Sequence, residues 1–406
     1  MTYETITPMG CVINAIDMHG QTTEPFVPFS VRGPQFIELK DGTLVYIVEA
    51  KYNSQADEEP ACKLLMRSHD GGKTWGESRL LKYKGYPDSV GGVPIYDAVN
   101  DTLIYFGRTR EWIPGMEQED RLLNEYDQIL GRVLERFWIA KSTDGGLTWS
   151  DFKEIFIDAP EEWRVKNCPT PGVGIQLKNQ KDPSKNGRLI VPSNHIGNNE
   201  NGRNDFGAHV LVSDDFGDSW HISAIQDYVG GNECMMAELS DGTLILNARS
   251  QASIPANHYL QSVSLDGGDT FVSNTAVESL YDPCCHSGFD SAVVDGKDYL
   301  FLAAPTGELG DPWPCLDVMG RWGKREMMTL YMSTDQGQTY KAIRQLSPKD
   351  EFAAYSALLT TSTGTLLCAW ESGPEDNLYR DIKYTRLDVA ELVNRFEITE
   401  IVSMIS

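Results

Sequence analysis

Glu233 opens the segment NECMM, and an acid at the head of an apolar strand must find a partner if it is buried. Arg249 ends a strand further on, where its guanidinium can pair with an acid. Asp57, Glu58 and Glu59 form an acidic run in the segment QADEEPACK, and Tyr355 stands alone in AAYSALL. Residues of these types can bind anions and move protons. Each also has an ordinary place in a folded chain, as a surface ion pair, a solvated loop charge or a packing tyrosine. Other chemistries have less to stand on. The seven histidines show no metal-ligand spacing such as HExxH, so no metal site is expected. The eight cysteines include no CxxC pair. Cys284 and Cys285 are adjacent, and neighbours rarely bridge, so reduced thiols are expected.

The bulk properties narrow the partners. The chain has 406 residues and a formal net charge of −24. Nucleic acids and anionic membrane surfaces need Lys and Arg in excess, so neither is an expected partner. An anionic substrate would have to be drawn by a local cluster of arginines. No apolar run reaches the ~18 residues of a membrane span, so no membrane insertion is expected. The start, MTYETITPMGCVINAIDMHG, lacks a basic stretch followed by an apolar one, which reads as a leaderless, cytoplasmic chain, or as a secreted one if a leader was removed. Length alone would suggest two or three domains at roughly 150 residues each, but repeats override that rule.

The positioning elements are such repeats. The pattern S-x-D-x-G-x-[T/S]-aromatic occurs five times, at SHDGGKTW, STDGGLTW, SDDFGDSW, SLDGGDTF and STDQGQTY. Asp in the third place can accept from backbone N–H groups ahead of it, and Gly supplies a left-handed φ, so each box reads as a tight hairpin turn. The closing aromatic packs between sheets. A second pattern, a turn followed by a short apolar strand, occurs six times, at Leu44, Leu103, Leu189, Leu244, Leu300 and Leu366. The first five of these strands each precede a box. The sixth is followed only by the C-terminal segment, and the chain start can complete its sheet. Six similar sheet units with little helix between them predict an all-β, six-bladed β-propeller, a single domain over residues 1–406. A charged, Leu-spaced stretch near residues 109–136 predicts a helical insertion in the second blade.

The boxes resemble the Asp-box repeats of the sialidase (neuraminidase) superfamily, and the resemblance runs over nearly the whole chain. VRGPQFIELKDGTLVYIVEA is similar to the family's FRIP motif, which places Arg32 as the first of three arginines that hold the substrate carboxylate. Gly33 stands where the family carries a bulky residue. NECMMAELSDGTLILNARSQ resembles the strand pair that supplies the glutamate assisting the nucleophile, Glu233, and the second arginine, Arg249. REMMTLYMSTDQGQTY resembles the strand with the third arginine, Arg325. AAYSALL resembles AYSDL, with the nucleophile at Tyr355 and Ala357 in place of the usual Asp. CAWES resembles the ending whose glutamate, Glu371, braces an arginine. The acid/base falls on Asp57, 25 residues after Arg32, with Glu58 and Glu59 as neighbouring alternatives. Asn194 and His195, after Ser193 at the third hairpin, occupy a place where some relatives carry aromatic substrate contacts.

The resemblance therefore implies a retaining exo-α-sialidase that acts on sialylated glycans, glycoproteins or glycolipids. Two alternatives remain open. The same site could serve a deaminated nonulosonic acid or transfer to a glycan, or the propeller could bind glycans without turnover. No cofactor is implied, and the oligomeric state is not legible.

Overall fold

The structure, a computed structural model, describes residues 4–5, 13, 15–57, 59–76, 78–81, 91–117, 127–128, 130–198, 204–226, 230–251, 258–306, 309–312 and 321–405. Six antiparallel sheets of four or five strands follow one another along the chain, as the repeats predict. The first blade runs through Ser30–Glu38, Leu44–Lys51, Ala61–Ser68 and Arg79–Leu81 from centre to rim. The second starts at Gly92–Asp97, the third at Trp163–Pro169, the fourth at Gly231–Glu238, the fifth at Gly288–Val294 and the sixth at Ser356–Thr360. The inner strand Ser356–Thr360 touches both Gly288–Val294 and Ser30–Glu38, so the ring is closed.

Side chains alternate faces along a strand, and in a propeller both faces meet a neighbouring blade. Leu44, Tyr46 and Val48 pack toward the sixth blade against Leu367, Ala369 and Ile382. Val45 and Ile47, on the same strand, pack toward the second blade against Leu103 and Tyr105. Two-sided burial is why these strands read as unbroken apolar runs and not as alternating ones. Each box aromatic enters the core between its own blade and the preceding one: Trp75, Trp149, Trp220, Phe271 and Tyr340.

The box turns carry the hydrogen bonds that the pattern demands. Asp70 accepts from the amides of Lys73 and Thr74, both at 2.9 Å, and from the Thr74 hydroxyl at 2.7 Å. The amide and hydroxyl bonds to the +4 residue recur at Asp144, Asp215, Asp266 and Asp335. In two boxes a side chain takes the left-handed position that glycine fills elsewhere, Phe216 at φ 59° and Gln336 at φ 59°. At Asp70 the Thr74 hydroxyl leads in holding the carboxyl below its ordinary value. At the other four, burial pushes upward but the hydrogen bonds outweigh it, and the carboxyls again lie low. A carboxyl whose folded pKa is depressed stabilises the fold above its unfolded pKa, and that contribution is lost as pH falls through the folded value. The thermal midpoint is therefore expected to hold steady above about pH 5 and to drop progressively below about pH 4. Calorimetry across that range is the check, and a midpoint unchanged down to pH 2 would contradict this account.

The chain start completes the last sheet, as expected: Glu4 and Thr5 pair with Tyr384 and Lys383 on the outer strand Asp381–Asp388. A C-terminal helix, Val389–Ile405, buries Val389, Leu392 and Val393, with Phe396 half-buried beside them, against the core between the fifth and sixth blades. In the second blade, strands Thr102–Trp112 and Val133–Ser142 stay paired out to Trp112 opposite Val133. Residues 109–112 and 133–136 of the stretch read as an insertion are thus β arms, and 118–126 and 129 lie outside the described residues. Among the described residues no helix is long and apolar enough to cross a membrane.

Candidate active site

Register alone puts the boxes and the site at opposite ends of the strands. In the first blade Leu44 faces Ser68, while Arg32 faces Glu49 and Glu49 faces Lys63 at the other end. A bulge between Arg32 and Gln35 re-aims the strand there, and Gly33 takes φ 59°, a conformation that suits glycine. The departure from a bulky residue at this position therefore has a backbone reason. Arg32 donates through Nε to Glu371 Oε1 at 3.1 Å, and the Gly33 amide donates to the same oxygen at 2.9 Å. Glu371 is fully buried, and burial lifts its carboxyl above the ordinary value despite Arg32. Arg32 also lies over the Tyr379 ring, 3.9 Å from its centroid.

Tyr355 directly precedes the inner strand of the sixth blade, and its carbonyl accepts from the Glu371 amide at 3.0 Å. Its hydroxyl donates to Glu233 Oε1 at 2.7 Å, while Arg249 Nη1 donates to that hydroxyl at 2.6 Å. Arg249 also pairs with Glu233 Oε2 at 2.6 Å. Glu233 sits within a register shift between Gly231 and Cys234, which turns it off the strand's apolar pattern. Arg325 donates to the Cys284 carbonyl at 2.8 Å and to the Tyr379 hydroxyl at 3.4 Å. The guanidinium carbons of Arg32, Arg325 and Arg249 stand 5.1, 5.4 and 5.9 Å from the Tyr355 ring centroid. Residues from the first, fourth, fifth and sixth blades thus converge on one phenol. Burial, with Glu233, holds that phenol well above its ordinary pKa against the pull of the three arginines. His286 lies 5.6 Å from the Tyr355 ring, and burial followed by Arg249 pushes its pKa down to about 3, so it is neutral and adds no charge.

Arg32, Asp57, Glu233, Tyr355 and Glu371 line one cavity of about 250 Å³. Asp57 stands at its mouth, with 78% of its side chain exposed, and accepts from Arg32 Nη1. Burial of its surroundings opposes ionisation, but Arg32, then Lys51, outweigh it and hold the carboxyl below its ordinary value. Glu59 instead ties its own loop, accepting from the Asn53 amide and side chain at 2.9 and 2.8 Å. Glu58 lies outside the described residues. The cavity continues to Lys51 and Lys63 of the first blade and to Arg108, Arg110 and Gln128 of the second.

Asn194 is buried behind this wall, its amide donating to the Cys168 carbonyl at 3.2 Å. His195 stacks on Trp163 with ring centroids 3.5 Å apart and contacts His209 at 3.1 Å. Neither is among the cavity-lining residues. Sequence reasoning missed Tyr379, Gln251 (which accepts from Arg249 at 2.6 Å) and the wall of Lys51, Arg108 and Arg110. Only the period-two position of Arg108 and Arg110 at the end of an apolar strand could have flagged the last two. Among the described residues no cluster of three or more His, Cys, Asp or Glu could hold a metal ion.

The chain is 29% identical to a sialidase of Micromonospora viridifaciens over 89% of its own length and 52% of that protein. It is 25% identical to a sialidase of Bacteroides fragilis over 87% of its length and 62% of that protein. The chain thus spans about half to three fifths of these relatives. In three dimensions it resembles a mutant of Trypanosoma rangeli sialidase displaying trans-sialidase activity, with a TM-score of 0.71 and 19% identity over 98% of this chain and 60% of that one. That likeness establishes the fold. The sequence model of the BNR repeat-like domain matches residues 89–369, more than half of the chain, and the chain therefore belongs to the BNR repeat-like domain family, within the sialidase superfamily.

Proposed function

We propose that the chain is a retaining exo-α-sialidase that removes terminal α-linked sialic acids from glycans, with Tyr355 as nucleophile. The observation that carries this reading is the Tyr355 hydroxyl held between Glu233 and Arg249 within reach of three guanidiniums. A sialic acid bears a carboxylate on its anomeric carbon, C2, and arginines match a carboxylate with planar paired donors. A carboxylate nucleophile would approach that carbon against its charge, whereas a neutral phenol does not. In the first step the Tyr355 oxygen bonds to C2 while the C2–O bond to the leaving group breaks. Glu233 takes the phenolic proton, and Asp57 gives a proton to the departing oxygen. In the second step water attacks C2, Asp57 accepts its proton, and the phenol is released with its proton returned from Glu233. Two displacements at C2 preserve its configuration.

The resting pair of Asp57 with Arg32 has a pH consequence. An acid whose folded pKa is depressed is ionised at neutral pH, so only a small fraction of free enzyme can protonate the leaving group. The substrate carboxylate would occupy Arg32 and loosen that hold. Hydrolysis of a fluorogenic α-sialoside is expected, with kcat/KM rising on acidification by up to about tenfold per pH unit below neutrality. NMR should show the α-anomer first. No turnover by folded protein between pH 4 and 8, or a first-formed β-anomer, overturns the reading.

A further inference from the structure

Resting on the sialidase reading, we infer that the second-blade wall of the cavity selects a C5 substituent that ends in a hydroxyl over one that ends in a methyl. The orientation follows from ring geometry. In the pyranose of a nonulosonic acid, C5 lies across the ring from C2. Arginines of the first, fourth and fifth blades surround Tyr355 and would hold the C2 carboxylate. The group on C5 is then carried toward the opposite arc of the ring, the second and third blades.

The wall met there sets two guanidiniums beside Gln128, Cys168 and Pro169. Arg108 is almost fully buried and donates through Nε to Glu135 Oε1 and through Nη1 to Cys168 Sγ, both at 3.0 Å. Arg110 donates to Gln128 Oε1 at 3.1 Å, and Gln128 in turn donates to Glu135 at 2.7 Å. The network fixes both guanidiniums on paired strands, Thr102–Trp112 against Val133–Ser142, so their positions are set before any sugar enters. A guanidinium carries five N–H donors and no acceptor. A hydroxyl brings acceptor lone pairs to such a wall. The methyl of an acetamido group strips water from the cations and returns no hydrogen bond. A free C5 hydroxyl and a hydroxyacetamido group share the required chemistry, and separate donors tell them apart.

The test compares kcat/KM on three 4-methylumbelliferyl α-ketosides that differ only at C5: acetamido, hydroxyacetamido and hydroxyl. At least one hydroxyl-terminated donor is expected to exceed the acetamido donor by about tenfold or more. Arg110→Leu is expected to bring that ratio to one or invert it, chiefly through KM. Arg108→Met is a second variant, and Arg110→Leu keeps the test open if the more buried change prevents folding. Preference for the acetamido donor, with the methyl taken by Pro169 and Pro171, overturns this inference and leaves the sialidase reading standing. So does a ratio that Arg110→Leu does not move. No turnover of any of the three donors by folded protein overturns both.

Discussion

Tyr355→Phe is expected to abolish turnover, with kcat falling by at least about 10³-fold. The change removes one oxygen from a phenol that both Glu233 and Arg249 contact, and leaves the ring that the three arginines surround. Substrate affinity should survive, because the guanidiniums that would hold the carboxylate remain. Equilibrium binding of an unhydrolysed α-thioketoside, beside steady-state rates, separates the two effects. If the variant keeps wild-type turnover, Tyr355 is not the nucleophile. If the chain is a glycan binder without activity, the substitution changes nothing in either measurement.

Glu371→Ala is expected to cost the fold about 1–3 kcal/mol, because it leaves the buried Gly33 amide without its acceptor and the half-buried Arg32 guanidinium with Asp57 as its remaining carboxylate. Arg32 would lose the partner that aims it, so KM should rise sharply in any protein that still folds. Glu371→Gln keeps an acceptor oxygen for Arg32 Nε and the Gly33 amide but removes the charge. Its loss of stability should be visibly smaller. Denaturant unfolding of the three proteins is the measurement, and equal midpoints for wild type and Glu371→Ala would mean that the brace holds nothing.

The ring was legible because one turn chemistry recurs five times and one strand pattern six times. Two-sided packing then forces every blade into the same shape. That the three arginines and Glu233 converge on Tyr355 could be anticipated because each of their motifs sits at a strand end. What escaped lies where no repeat marks it. Tyr379 reaches Arg32 from a loop of the sixth blade, and nothing local in NLYRD signals a cation–π contact. Glu59 belongs to the same acidic run as Asp57, yet its loop folds back on Asn53 and Ser54, a difference decided by backbone geometry. Asn194 was picked out from its hairpin end, but pairing with the strand at Cys168 turns its amide onto backbone. The C-terminal helix carries a short apolar stripe, Val389, Leu392, Val393 and Phe396 at i, i+3, i+4 and i+7, and its place is set by the gap it fills between two blades.

The brace between Arg32 and Glu371 joins residues 339 positions apart, across the seam where the first blade meets the last. During synthesis at about 5–20 residues per second, Arg32 would leave the ribosome roughly 17–70 s before its partner exists. A fragment lacking the sixth blade lacks Tyr355, Tyr379 and Glu371, and so cannot assemble the cluster around Arg32, however well its own sheets form. On the sialidase reading, activity is therefore expected only once the sixth blade has joined the first and closed the circle.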